Sequence, residues 1–164
     1  MSQIKIEEIC DFEGKYLTFD LMEENFGISV QWIMQIIAIP NITKIPKTPP
    51  FIKGVINLRG KIVPVMDLRV RFNLPEQEYN DRTSIVVLKL EVSDSDFYIG
   101  IIVDKVSEVI DIHKDEIENT PEFGVDFESQ FILAMAKIKG KVVTLLDVSR
   151  ILSIKEMQQI QNQQ

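Results

Sequence analysis

Apolar and polar residues alternate with a period of two along most of the chain, and many of the apolar residues are β-branched. This alternation is typical of β-strands that bury one face. Two pairs of alternating runs are each separated by a short polar turn, at Glu23–Asn25 and at Ser93–Asp96. The pattern therefore predicts two strand pairs, Tyr16–Met22 with Gly27–Trp32 and Ser84–Val92 with Phe97–Val103.

Two long segments of this pattern occur twice. Phe51–Leu68 (FIKGVINLRGKIVPVMDL) aligns with Phe131–Val148 (FILAMAKIKGKVVTLLDV) at a shift of 80 positions. Upstream, Phe26–Ile37 aligns with Ile99–Ile110 at a shift of 73 positions. An internal repeat of strands predicts two similar β modules rather than one catalytic cleft. The difference between the two shifts places a longer loop in the second copy, at His113–Gln130.

Each copy of the first repeat contains a glycine turn and ends on an aspartate. Gly60 and Gly140 supply the positive φ that a tight hairpin turn needs. Asp67 and Asp147 are suited to cap helices, because a carboxylate accepts the free N–H groups of a first helical turn. We expect the capped helices at Leu68–Phe72 and Val148–Met157, followed by a frayed tail at Gln158–Gln164.

The fold class follows from these elements. Pro40–Pro50 contains four prolines, which lack the N–H of a central strand, so we expect a loop or edge segment there. The sequence predicts an all-β fold with short helices. Small curled sheets of about five strands close into barrels, since closure removes exposed edges.

The run Ile28–Ile39 (ISVQWIMQIIAI) is too apolar for one strand with one face in water. Apolar residues lie on both parities, with Gln31 and Gln35 interrupting them. Two interpretations remain open: part of the run is an exposed surface that a partner covers, or a local twist or bulge buries both faces.

Composition excludes several classes of protein. The chain has 164 residues, 45% of them apolar, and a formal net charge of −7. Nucleic acid and anionic membranes are poor partners for this charge. The N-terminus has no secretory h-region, no apolar run approaches the ~20 residues of a membrane span, and Cys10 is the only cysteine. We therefore expect a cytoplasmic protein without disulfides.

The residues that most enzymes need are missing from the sequence. His113 is the only histidine, which excludes histidine-based metal clusters and leaves little acid–base capacity. Cys10 has no basic neighbour to activate it. Asp67 and Asp147 are explained by capping, and the acidic run Asp111–Glu118 lacks the alternating ligands and central glycine of a calcium loop. We expect no catalytic residue, no metal and no cofactor.

Two motifs resemble a known family. Pro49–Phe72 (PPFIKGVINLRGKIVPVMDLRVRF) and Tyr98–Ile110 (YIGIIVDKVSEVI) are similar to the two signatures of the CheW family of chemotaxis coupling proteins, and the resemblance spans roughly Lys15 to Leu152. It implies a single CheW-like domain, 1–164, of two SH3-like five-stranded β-barrels with short helices and a C-terminal helix. One subdomain would comprise about 14–80 plus 145–157, the other about 81–144, and 158–164 would be the frayed tail.

The resemblance also implies a function without catalysis. Family members bridge the histidine kinase CheA to the cytoplasmic tips of chemoreceptors in membrane arrays, pairing their barrels with the kinase's regulatory domain. Carried over by position, the kinase-binding residues are Leu17, Val30, Ile33, Gln35, Ile36 and Gly54. The receptor-binding residues are Asn57, Arg59, Val106 and Val109.

One position departs from the family pattern, and two rival functions remain open. Gln35 stands where the family often has Glu, which weakens a charge-dependent contact there. The planar fork of Arg59 suits an oriented contact, although a turn residue that points into solvent is the alternative. The chain could instead couple another receptor–kinase pathway, such as surface motility, or be a β-barrel that binds a small ligand. We expect a monomer in isolation, without nucleic acid or membrane insertion.

Overall fold

The computed structural model describes residues 12–92, 94–118 and 131–151. Eleven strands dominate this part of the chain: β1 Gly14–Leu21, β2 Glu24–Ser29, β3 Ile33–Ala38, β4 Ile52–Leu58, β5 Lys61–Asp67, β6 Ser84–Val92, β7 Ser95–Val103, β8 Lys105–Ile112, β9 Ile117–Glu118, β10 Ile132–Ile138 and β11 Lys141–Leu146. Two helices follow hairpins, α1 Leu68–Arg71 and α2, of which Val148–Ile151 is described. The predicted all-β class is confirmed.

The strands form two sheets. The first has the order β8-β1-β2-β11-β10-β9, and the second has the order β3-β6-β7-β5-β4. Neighbouring strands are antiparallel except for β2 with β11 and β5 with β7, which are parallel. The first sheet has six strands where five were expected, because the two-residue strand β9 extends it beyond β10.

Three apolar clusters form the core of the described part of the chain. One cluster belongs to the first sheet and includes Tyr16 and Leu145, and another belongs to the second sheet and includes Ile85 and Val87. The largest cluster is shared by both sheets. Alternation along β6 explains this division, since Ile85 and Val87 enter their own sheet's cluster while Val86 and Leu88 enter the shared one.

The β4–β5 and β10–β11 hairpins have the same structure, as the sequence repeat predicted. Even individual hydrogen bonds occur at equivalent positions. At the turns, Arg59-Gly60 and Lys139-Gly140 all have positive φ. The N–H of Asp67 donates to Phe51 at 2.8 Å, and the N–H of Asp147 donates to Phe131 at 2.9 Å. Both aspartates cap their helices, accepting N–H bonds from Arg69 and Ser149. The register also shifts at equivalent points, Ile52/Gly54 and Ile132/Ala134.

The two repeats exchange strands between the sheets. The first repeat supplies β1 and β2 to the first sheet and β3 to β5 to the second, and the second repeat does the reverse. Sheet membership therefore divides the chain differently from the expected bounds of 14–80 with 145–157 and 81–144. The reason is that the chain crosses between sheets inside each repeat, at Val30–Trp32 and at Asp104.

Glycines allow the close packing beside the parallel strands. A Cβ atom on Gly27 would lie 3.1 Å from Leu145, and one on Gly100 would lie 2.6 Å from Ile85. Gly27 pairs with Leu145 of β11, and Gly100 pairs with Val65 of β5. The repeated glycine thus marks the place where each repeat packs against a strand of the hairpin motif.

Several predicted boundaries differ from the structure. The turn predicted at Glu23–Asn25 lies at Met22 and Glu23, both with positive φ, and β2 begins at Glu24. The predicted strand Gly27–Trp32 ends at Ser29, because Val30–Trp32 forms a 3-10 turn. Cys10, residues 119–130, the part of the predicted helix beyond Ile151 and the tail 158–164 lie outside the described residues.

Candidate functional site

The strand β3 lies at one edge of the second sheet and carries three of the six predicted kinase-binding residues, Ile33, Gln35 and Ile36. Its register with β6 shifts after Ile33, so Ile33 pairs with Leu88 and Ile36 pairs with Val86. Leu88 and Val86 both face the shared core. Since paired residues project to the same face, the shift places Ile33 and Ile36 on one side of the sheet. Gln35 pairs with Val87 on the other side.

This edge remains partly exposed. Ile36 and Met34 are each 44% exposed, while Val30 and Ile33 are half-buried against the shared core. Both interpretations of the apolar run therefore hold in part: a turn and a register shift cover some residues, and others remain at the surface. We call Val30, Ile33, Met34 and Ile36 the β3 surface.

The other two predicted kinase-binding residues are buried. Leu17 is only 3% exposed and belongs to the shared core. Gly54 lies on β4, where a Cβ atom would be 2.1 Å from the carbonyl oxygen of Thr43. That close approach permits a two-bond bridge in which Thr43 and Val55 exchange N–H···O bonds of 2.9 and 2.8 Å. Neither residue presents a side chain to a partner in this conformation.

The strand β8 is an edge of the first sheet and carries two predicted receptor-binding residues. Val106 pairs with Phe19, and Val109 pairs with Leu17. Val106 is half-buried against the shared core, whereas Val109 is 53% exposed. We call Val106 and Val109 the β8 surface. A register shift at Thr18 places both on the same face, and Thr18 holds it by hydrogen bonding both backbone groups of Glu108.

Asn57 and Arg59 belong to the β4–β5 hairpin, on the other sheet from β8. The Asn57 Oδ1 accepts the N–H of Gly60 at 2.9 Å and so stabilises the turn. Arg59 is exposed and has a φ of 52°. Within the described part of the chain, no hydrogen bond or ion pair of the Arg59 guanidinium is found, which leaves it free for a contact from outside.

The β3 and β8 surfaces are equivalent positions of the repeat. The shift of 73 places Ile33 on Val106 and Ile36 on Val109. The inner member of each pair lies against the shared core, and the outer member is exposed. Sequence reasoning missed this equivalence, although the alignment of Phe26–Ile37 with Ile99–Ile110 contained it.

The charge around the two surfaces differs. Met34, Gln35 and Ala38 on β3 correspond to Ser107, Glu108 and Asp111 on β8. Asp111 forms an exposed ion pair of 3.1 Å with Lys15. The β3 surface is therefore apolar with neutral neighbours on its strand, whereas the β8 surface is apolar with the charged neighbours Glu108 and Asp111.

A polar cluster lies beside α1. The Tyr79 hydroxyl donates to Asp67 Oδ2 at 2.8 Å, and burial together with this bond raises the pKa of Tyr79. The hydrogen bonds that Arg69 donates to the Asp104 carboxylate raise the pKa of Arg69. These groups are satisfied by one another and stabilise the fold.

The described ranges contain no group of three or more His, Cys, Asp or Glu residues arranged to hold a metal ion. None of their helices is both long enough and apolar enough to cross a membrane.

The sequence matches a known protein family over most of its length. The CheW-like domain family matches residues 15–156. The chemotaxis protein CheW of Klebsiella aerogenes is 34% identical over 148 residues, covering 90% of this chain and 87% of that protein. The CheW of Bacillus subtilis is 36% identical over 139 residues, covering 84% and 86%.

A solved structure shares the fold. The crystal structure of the scaffolding protein TtCheW from Thermoanaerobacter tengcongensis has a TM-score of 0.75 and is 33% identical, covering 87% of this chain and 89% of that one. Family match, sequence identity and fold agree over nearly the whole described chain. The chain belongs to the CheW-like family.

Proposed function

We propose that this protein is a non-enzymatic chemotaxis adaptor that couples chemoreceptor tips to the histidine kinase CheA and helps to build receptor arrays. The observation that carries the proposal is the pair of exposed apolar residues at equivalent positions on two edge strands, Ile36 and Val109. A bridging protein needs two separate surfaces, and these two differ in charge.

The β3 surface would bind the regulatory domain of the kinase. Ile36 and Met34 supply exposed apolar area. Val30 and Ile33 are half-buried against the shared core and would hold this surface in place. Leu17 and Gly54 would act indirectly, by holding the core and the Thr43 bridge in place. Gln35 would contribute hydrogen bonds without charge.

The receptor tip would bind the β8 surface together with Asn57 and Arg59. Val106 and Val109 provide the apolar part of this contact. Arg59 would position the receptor through its planar guanidinium, and Asn57 holds the turn that presents it. Such an adaptor would be cytoplasmic, recruited to membrane arrays by its receptors, and monomeric when isolated.

Co-purification with the kinase regulatory domain from the same genome tests the proposal. We expect a complex that survives size-exclusion chromatography, and a ternary complex when a receptor-tip fragment is added. Regulatory domains of other histidine kinases from that genome serve as controls for the choice of pathway. Failure of every regulatory domain to bind would refute the proposed function.

A further inference from the structure

The second crossing between the sheets is held by a partly buried ion pair. Asp104 is the residue between β7 and β8, where the chain leaves the second sheet for the first. The Arg69 Nε of α1 donates to Asp104 Oδ1 at 2.7 Å, and its NH2 group donates to Oδ2 at 2.5 Å. The two side chains are only 11% and 23% exposed. This two-point contact fixes orientation as well as distance.

The same pair also contacts two loops. Asp104 Oδ2 accepts the N–H of Met22 in the β1–β2 turn at 2.9 Å, and the Asp104 N–H donates to Asp20 at 3.1 Å. The remaining donors of Arg69 reach Pro75 and Gln77 in the loop before β6. One arginine–aspartate pair therefore joins α1 of the second sheet to the β1–β2 hairpin of the first.

The equivalent crossing in the other repeat has no such pair. The shifts of 73 and 80 place Gln31 at the position of Asp104 and Ser149 at the position of Arg69. Gln31 is exposed, and the Ser149 hydroxyl donates to Asp147 instead. An open cleft of about 520 Å³ lies there, lined by Gln31 and Asp147 among others. A narrow space of about 30 Å³ and an open cleft of about 420 Å³ both border Arg69 and Asp104, so the two crossings differ in the ion pair and not in the size of the open space.

We propose that Arg69 and Asp104 are positioning residues that hold β8, and with it the β8 surface, in a fixed orientation relative to the second sheet. The inference rests on the proposed function, because a fixed orientation matters when the β3 and β8 surfaces bind different partners. Receptor movements reach the kinase through this junction, since Asp104 directly precedes β8. The pair contributes to coupling while touching neither partner, which is a coupling free energy between two sites.

The variant Asp104→Asn tests this proposal. Asparagine keeps the size and one acceptor but removes the charge and the two-point contact. We expect each partner to bind the variant as it binds the wild type, while receptor control of kinase activity in a reconstituted mixture falls about tenfold, within the usual range of coupling between sites. Hydrogen exchange should become faster in β8 and the β1–β2 turn and stay unchanged in the β4–β5 hairpin.

Two further variants make the result decisive. Arg69→Lys keeps the charge but not the planar fork, so it should reproduce the loss of control. Asp96→Asn removes a carboxylate from an exposed ion pair with Lys89 and should change nothing. Unchanged control and exchange in Asp104→Asn would overturn the proposal. So would parallel loss of melting temperature and of both pairwise affinities in Asp104→Asn and Arg69→Lys, because that marks a purely structural pair.

Failure of the proposed function would look different. If the wild-type protein binds neither partner, the coupling assay has no signal, and the hydrogen exchange of β8 alone decides the positioning role. Faster exchange in Asp104→Asn and Arg69→Lys, but not in Asp96→Asn, would support it. Equal exchange in all three would overturn it.

Discussion

The edge strands β3 and β8 have the same backbone design and different side chains. Each carries one extra residue in its register, at equivalent positions, and each places an inner apolar residue on the shared core with an outer one exposed. The residues around them differ: Gln35 and Ala38 on β3 are neutral, whereas Glu108 and Asp111 on β8 are acidic. The repeat thus provides two surfaces with a similar backbone and different side-chain chemistry.

This comparison indicates how a repeated fold can bind two different proteins. In the proposed function, apolar burial at Ile36 or Val109 would supply affinity, and the surrounding charges would exclude the wrong partner. Binding at the β8 surface should therefore weaken more with added salt than binding at the β3 surface.

The largest expected effect comes from a matched pair of charge insertions. Ile36→Asp should weaken binding of the kinase domain by about 3 kcal/mol, roughly a hundredfold in Kd, because it buries an unpaired carboxylate. Val109→Asp should do the same to receptor binding. Each variant should leave the other partner's affinity unchanged. Titration calorimetry with both partners measures all four affinities.

Circular dichroism provides the control for this pair. Both residues are about half exposed, so both variants should fold. Loss of both partners in either variant would mean that the surfaces are not separate. Retained kinase binding in Ile36→Asp would show that the β3 surface is misassigned.

The inner residues Ile33 and Val106 test whether the two edge strands contribute equally to the free energy of unfolding. Ile33→Ala should reduce the free energy of unfolding by about 1–2 kcal/mol, and Val106→Ala by about 1 kcal/mol, since both side chains are half-buried on the shared core. Urea unfolding measures the difference. A near-zero cost for one of the pair would show that only one edge strand is anchored to the core.

The smallest effect is expected at the hairpin tips, where Arg59 and Lys139 have nearly the same φ, 52° and 51°. Replacing either with Ala should change stability by no more than about half a kcal/mol. Arg59→Ala alone should weaken receptor binding, by about 1 kcal/mol, because only Arg59 is proposed to contact the receptor. Equal receptor affinities in Arg59→Ala and Lys139→Ala would refute that role.

Local signals in the sequence were sufficient for the two repeated hairpins, their caps and the strand pairs β1–β2 and β6–β7, apart from their exact ends. Turn chemistry at Gly60 and Gly140 and the caps at Asp67 and Asp147 act between close neighbours, so the repeat determines them directly. The family resemblance then implied the remaining architecture.

Sheet membership could not be obtained in the same way. Sheet membership depends on where the chain crosses between the sheets. One crossing is the 3-10 turn Val30–Trp32, which lies inside a continuous apolar run and therefore gives no turn signal in the sequence. The burial of Leu17 was also beyond local pattern, because the shared core that covers it is built from both sheets. The interaction of Arg69 with Asp104 joins residues 35 positions apart and gives no periodic signal.

The exchange of strands between repeats has a consequence for synthesis. The second sheet comes from one uninterrupted stretch, β3 to β7, so it can form as soon as Val103 has left the ribosome. The β1–β2 hairpin is made first but must wait for its next partner strand, β8, which ends at Ile112, and β11 follows later still. At about 5–20 residues per second, that delay is on the order of 5–20 s. During this time the oldest part of the chain is a lone hairpin, which is marginally stable in water and is the segment on which a nascent-chain chaperone would act.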